Sequence, residues 1–273
     1  MSVDRTGTDL GAGRSILTEV PSTQQILGIR FFVGSTIEIV DFFLRTGGVL
    51  VVPAAPALVK LRHEDERYRR ALTEADFAIA DSGLMVLLWK LRGGKNVRRI
   101  SGLKYLKCLV EDPDLRIFLN ALLVLPSEVA KQKTLAWSRN ENLPLDPDDC
   151  YVAPHYGAAA EDTGLLRKLE SRRPAHVIIA IGNGPQEMLG VFLRNNLSYR
   201  PAIHCIGAAL GFLTGDQITI PDWADRLYLG WFFRLVAQPS IFIPRLSRAL
   251  ELPWLIWKYG EKLPPMRAVV RRQ

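Results

Sequence analysis

Apolar residues along the chain fall into two alternating textures: short uninterrupted runs, and longer stretches where they recur every three or four positions. Ser35-Thr-Ile-Glu38 has the Ser-x-x-Glu spacing of a capping box, and Ile37, Val40 and Leu44 continue it as a helix until Gly47-Gly48. The β-branched run 49–52 then predicts a buried strand, closed by Pro53. Helix is expected within 57–73. A second short strand, 76–80, delivers Asp81-Ser82-Gly83 to an apolar helix running through Leu91. Beyond it the pattern predicts helix at 103–110, strand at 115–120, helix at 127–139 and a polar, proline-containing link at 140–149. Strand at 150–153, helix at 162–171, strand at 176–181, helix at 185–195 and strand at 202–206 complete it. Strands alternating with helices give an α/β class: a Rossmann-like, mostly parallel sheet with helices on both faces. No internal repeat or low-complexity tract interrupts it.

The two ends differ from this middle. Residues 1–25 are polar and lack the basic patch and apolar run of a secretory signal, so a flexible tail is expected. After Pro221, Tyr228, Trp231, Phe232, Phe233, Phe242, Trp254, Trp257 and Tyr259 interleave with Arg234, Arg245, Arg248 and Lys258, and prolines at 239, 244 and 253 divide the segment into short helices. The expected organisation is a tail (1–25), an α/β domain (26–220) and a basic, aromatic helical appendage (221–273). Charge sharpens that division. Nine basic and two acidic residues lie between Arg226 and Gln273, an excess equal to the whole formal charge of +7, which leaves residues 1–225 neutral. Cys108, Cys150 and Cys205 are odd in number and without metal-ligand spacing, which fits a reducing compartment. No stretch reaches the roughly 18 apolar residues of a spanning helix, so membrane contact is expected to be peripheral.

Ligands of parallel α/β sheets bind outside the carboxyl ends of the strands, which singles out three places. Asp81 follows a strand and opens a helix, where it is either the helix N-cap or a carboxylate free to take a proton. The turn Gly182-Asn-Gly184-Pro-Gln186-Glu187 ends a strand and opens a helix; it is either a structural turn or a cradle for diphosphate. It is not a dinucleotide fingerprint, because Glu187 stands where the third glycine belongs. His155 is either a ligand contact or a structural histidine. The basic, aromatic C-terminus suits an anionic membrane surface, with a packed subdomain carrying solvated arginines as the alternative. Nucleic acid is disfavoured, since Trp254-Leu255-Ile256-Trp257 and Phe242-Ile243 are too apolar for a phosphate backbone.

Ile179-Ala-Ile-Gly-Asn-Gly-Pro-Gln-Glu187, then 207–215 with Phe212-Leu213, Pro221-Asp-Trp223, Trp231-Phe-Phe-Arg234-Leu and Gln238-Pro239 follow one another in an order that resembles the WecG/TagA/CpsF glycosyltransferase family, across roughly residues 35–250. Ala80-Asp81-Ser82-Gly83 is similar to that family's Ala-Asp-Gly segment, Arg99-Ile-Ser101-Gly102 to the segment after the next helix, and His155-Tyr156-Gly157 to a later ligand-side loop. The resemblance implies metal-independent, inverting transfer, without a cofactor, from a UDP-sugar to an undecaprenyl-diphosphate-linked saccharide at the inner face of the cytoplasmic membrane. It implies Asp81 as catalytic base and a substrate-binding set of Gly182, Gly184, Gln186, Glu187, Arg99, Ser101, His155 and Tyr156. Arg234, Arg245 and Arg248 would contact diphosphate, and a homo-oligomer is compatible with all of this. Three positions depart from the family pattern: Val52-Pro53-Ala54 replaces Thr-Pro-Asn, Lys104 replaces an acidic residue, and Asn120-Ala121 replaces a glycine pair. These departures motivate a second expectation, a non-catalytic member that binds nucleotide-sugar or lipid-linked precursor.

Overall fold

A computed structural model describes residues 21–63, 66–94, 97–111, 120–157, 159–215, 243 and 247–267. Eight strands form one sheet: β1 (Thr23–Ile26), β2 (Ile29–Phe32), β3 (Gly48–Val51), β4 (Phe77–Ala78), β5 (Ala121–Leu125), β6 (Cys150–Val152), β7 (His176–Ile179) and β8 (Ala202–Cys205). Their order is β1-β2-β4-β3-β8-β7-β5-β6, and every pairing is parallel except the antiparallel β1–β2 hairpin. The helices are α1 (Thr36–Thr46), α2 (Ala55–Val59), α3 (Glu66–Glu74), α4 (Gly83–Leu91), α5 (Gly102–Glu111), α6 (Glu128–Asn140), α7 (Thr163–Arg172), α8 (Pro185–Asn196), α9 (Ala209–Leu213) and, near the C-terminus, α10 (Leu252–Tyr259).

Strand alternation divides the interior into two layers. Val49 and Val51 of β3, Val177 and Ile179 of β7 and Ile203 and Cys205 of β8 face the layer covered by α3, α4, α7, α8 and α10. Leu50, Ile178 and Ala202, from the same strands, face the layer under α1, α5, α6 and α9. The expected α/β architecture with helices on both faces is therefore present. The capping box at α1 also forms: Glu38 N donates to Ser35 Oγ (3.3 Å) and Ser35 N to Glu38 Oε2 (2.6 Å).

Two strand expectations change. The strand expected at 115–120 is instead β5, at Ala121–Leu125, and residues 112–119 lie outside those described. A central strand is buried on both faces; Ala-Leu-Leu-Val-Leu is apolar throughout, whereas Arg116 interrupts the earlier run. The β1–β2 hairpin was not anticipated. Its Leu27-Gly28 turn has φ of 50° and 82°, the left-handed pair of a two-residue hairpin turn, and it brings Thr23, Gln24 and Gln25 of the expected tail into the sheet. Near the C-terminus, Leu252, Leu255 and Ile256 of α10 are buried in the α4 layer, and Leu27 N and Gly28 N donate to the Gly260 and Glu261 carbonyls (both 2.8 Å).

The opposite layer holds an unusual polar cluster. His204 is fully buried between α1 and α5, its Nδ1 2.8 Å from the Tyr105 hydroxyl, its ring 5.2 Å from Phe43 and 5.8 Å from His176. Neither His176 Nδ1 nor His204 Nε2 has a hydrogen-bond partner. Burial pushes the His176 pKa down from 6.5 to about 4 and that of His204 in the same direction. Below pH 6.5 the unfolded chain gains protons that the folded chain refuses until about pH 4, so this stability is complete above 6.5 and falls as the solution is acidified. At pH 5 the His176 share amounts to about 2 kcal/mol. His176→Phe is expected to shrink the difference in unfolding free energy between pH 7.5 and pH 5 by that amount in urea titrations. An unchanged difference would remove His176 as its source.

Candidate active site

The loops after β4, β3, β8 and β7 all emerge from the same edge of the sheet, because these strands are parallel neighbours. Asp81 after β4 and Gly182 after β7 are separated by three strand spacings, about 14 Å along that edge. Both lie at the carboxyl ends of their strands, on the one edge of the sheet.

Asp81 is held by two segments that converge on it. Gly102 N, at the start of α5, donates to its Oδ1 (3.1 Å), and Arg99 Nε donates to its main-chain oxygen (2.9 Å). Oδ2 accepts no hydrogen bond from any described residue, and the residue is half-buried. Asp81 is not the N-cap of α4. That role belongs to Ser82, whose Oγ accepts from Met85 N (3.2 Å), so the Asp81 carboxylate is not used in capping α4. Ser101, expected to touch substrate, is buried and accepts from Lys104 N (3.2 Å), which makes it the cap of α5. Lys104 itself is exposed.

A chain of contacts runs from Asp81 to the glycine turn. Gly102 sits against Val52, Ala209 and the Ile206 carbonyl, so closely that an added Cβ would lie 3.2 Å from Val52 Cγ1. Next to Ile206, Gly207 N donates to Gln186 Oε1 (2.9 Å), while Gln186 Nε2 donates to Glu187 Oε1 (2.9 Å) and Asn183 Oδ1 (3.3 Å). Glu187 Oε2 accepts from Gly184 N (2.6 Å). Gln186 and Glu187 are both fully buried, so they shape the turn from inside and do not line the cleft as expected. The N–H of Gly184, at the start of α8, is already taken by this carboxylate. Burial pushes the Glu187 pKa up, against the hydrogen bonds from Gln186 and Gly184. Gly182 and Gly184 have φ of 97° and 105°, a region that favours glycine, and both would-be Cβ positions face open space. A cavity of about 200 Å³ opens there, lined by Leu125, Ala180, Gly182, Gly207, Thr134 and Thr214 among others. The larger cavity, about 250 Å³, runs along the flank of α8 by Arg70, Met188 and Phe192 and reaches none of Asp81, Gly182 or Gly207. The smaller one lies at the strands' carboxyl ends and reaches Gly182 and Gly207 but not Asp81.

His155 and Tyr156 follow β6, at the same sheet edge but two strands beyond β7. His155 is exposed. Tyr156 and Tyr151 both donate to Asp162 Oδ2 (2.8 Å each), and Asp162 Oδ1 caps α7 at Leu165 N (2.8 Å). Burial, then the Asp162 contact, raises the Tyr156 pKa; Asp162 is lowered, the bonds from Leu165, Tyr156 and Tyr151 outweighing its burial. Tyr156 thus clamps this loop. Arg248 is exposed on the approach to α10, while Arg234 and Arg245 lie outside the described residues. Gly102 and Gly207, which join the two halves of the site, stand inside segments that carry the family resemblance but were not expected as site residues.

The departures from the family pattern also acquire places. Val52 is 6% exposed and packs in the core, so its methyl groups stand where the family's threonine would. Ala54 precedes α2 without a side-chain cap. Asn120-Ala121 lies at the entry to β5, the sheet edge opposite the cleft. Among the described residues no helix is long and apolar enough to cross a membrane, and no three His, Cys, Asp or Glu side chains gather as a metal site.

The family model described as glycosyl transferase WecG/TagA/CpsF family matches residues 24–267. An N-acetylglucosaminyldiphosphoundecaprenol N-acetyl-beta-D-mannosaminyltransferase of Bacillus spizizenii (strain W23) is 23% identical over 210 residues, 76% of each chain. The enzyme of the same name from Bacillus subtilis (strain 168) is 24% identical over 212 residues, 76% of this chain and 77% of its own. A family match spanning nearly every described element makes this chain a glycosyltransferase, a member of the WecG/TagA/CpsF family.

Proposed function

We propose that the chain transfers a hexose-type sugar, with inversion, from a UDP-sugar to an undecaprenyl-diphosphate-linked acceptor in cell-surface polysaccharide synthesis. The observation that carries this is the Asp81 carboxylate, at the carboxyl edge of the sheet: one oxygen is fixed by Gly102 N and the other accepts no hydrogen bond from any described residue. Oδ2 takes the proton of the acceptor hydroxyl as that oxygen attacks the anomeric carbon. The bond from the anomeric carbon to the β-phosphate oxygen breaks on the opposite side, and UDP leaves with the electron pair. The donor lies in the cavity lined by Gly182 and Gly207, against the open side of Gly182, a separation from Asp81 that a nucleotide-sugar spans. Arg234, Arg245 and Arg248 offset diphosphate charge, in a mechanism that uses no metal.

The two Bacillus relatives, named for an N-acetylglucosaminyl-diphosphoundecaprenol acceptor and an N-acetylmannosaminyl group, favour the same pair of substrates here. A lipid-linked acceptor and a nucleotide donor place the work at the inner face of the cytoplasmic membrane, which the basic C-terminal segment suits. The test is UDP release across a panel of UDP-sugars, with and without the lipid-diphosphate acceptor. Release is expected with an N-acetylhexosamine donor and only when the acceptor is present. Donor binding without release would favour the non-catalytic reading.

A further inference from the structure

The helix that follows Asp81 carries large apolar side chains on its outer as well as its inner face. Met85, Val86 and Trp89 of α4 are buried, yet Leu84, Leu87 and Leu91, spaced i, i+3 and i+7 on the outer face, are 39%, 54% and 66% exposed. A surface helix ordinarily turns charge outward, and a contiguous exposed apolar face marks a binding surface. α10 enlarges that face. It packs on α4, Arg92 Nε donates to the Trp257 carbonyl (3.3 Å), and Trp254 and Trp257 are 43% and 64% exposed.

The rim is cationic and aromatic. The Lys258 ammonium lies 4.8 Å from the Trp254 ring centre and 5.5 Å from that of Tyr259, and the Arg62 guanidinium lies 4.7 Å from Trp254. Lys90 is exposed on α4 itself. The acidic Glu251 nearby is occupied by Arg62 (2.8 Å) and His63 (2.7 Å). Leucines at the centre, with tryptophan and cations around them, match the chemistry of an anionic bilayer interface. A second copy of the chain would set one cationic rim against another, and a nucleic acid would leave the leucines in water.

We infer that the outer face of α4, together with Trp254 and Trp257, seats on an anionic lipid bilayer within the α/β domain itself. α4 begins two residues after Asp81, so seating it brings the carboxylate to headgroup level, where the diphosphate of a lipid-linked acceptor lies. That consequence rests on the proposed function; the docking surface does not.

The test uses the full chain with phosphatidylcholine vesicles, with and without phosphatidylglycerol. The wild type is expected to sediment with the anionic vesicles, and L87E/L91E to lose at least about tenfold in partitioning. W257S provides an independent second variant. Both variants are expected to keep the wild-type melting temperature and to transfer sugar at wild-type rates to a short-chain, water-soluble acceptor. Undiminished vesicle binding by L87E/L91E would overturn the inference. So would a dimer that L87E/L91E abolishes while vesicle binding stays the same, which would assign the face to a second copy. If no acceptor is glycosylated but partitioning falls as described, the bilayer surface stands and the sugar-transfer reading fails.

Discussion

Replacing Asp81 with asparagine is expected to lower turnover by about two to four orders of magnitude, the contribution of a positioned general base. Asparagine keeps an oxygen to accept from Gly102 N and leaves the Arg99 bond to the main chain untouched, so folding is preserved. Its amide nitrogen takes the place of Oδ2 and cannot receive a proton. The loss therefore falls on kcat, with KM for both substrates close to the wild-type values, because no ground-state contact is removed. Steady-state kinetics beside a melting curve separates the cases. Unaltered turnover in a folded D81N protein would exclude Asp81 from the chemistry.

Glu187→Leu is expected to do its damage in the opposite order. The substitution is close in volume but leaves Gly184 N–H and one of the two Gln186 Nε2 N–H groups buried without an acceptor, Asn183 Oδ1 keeping the other, at about 1–3 kcal/mol for each orphaned N–H. Relief of the buried carboxylate's own desolvation offsets part of this, for a net loss of about 2–4 kcal/mol in denaturant titration. Loosening the turn that presents Gly182 raises KM for the nucleotide donor more than it lowers kcat. Wild-type stability in E187L would mean that the turn does not depend on its buried carboxylate.

The contrast between these two acidic residues shows what the sequence could and could not reveal. Local signals read well: the Ser35/Glu38 reciprocal cap and the alternating strand and helix textures are set by neighbours a few positions apart. Which of Asp81 and Ser82 caps α4 depends on a one-residue difference in helix onset, and that difference turns a cap into a free carboxylate. Gln186 and Glu187, polar residues at a helix start, look like cleft residues; their burial follows from Gly207, which is far away in sequence and adjacent in the sheet. The β1–β2 hairpin was missed because Thr-Gln-Gln-Ile is largely polar and only Gly28 signals the turn. β5 was displaced because two apolar runs abut and only the uninterrupted one tolerates burial on both faces. The docking of α10 against α4 is a tertiary event without a local signature, and it converts part of an expected appendage into core.

The most direct measurement is the mass and anomeric configuration of the product formed when the purified chain meets UDP-N-acetylmannosamine and a polyprenyl-diphosphate-linked N-acetylglucosamine. One added N-acetylhexosamine on the lipid-linked sugar, joined with the configuration opposite to that of the donor, is the expected result. Retained configuration, or a lipid-linked sugar left unextended with every UDP-sugar offered, would contradict inverting transfer assisted by Asp81.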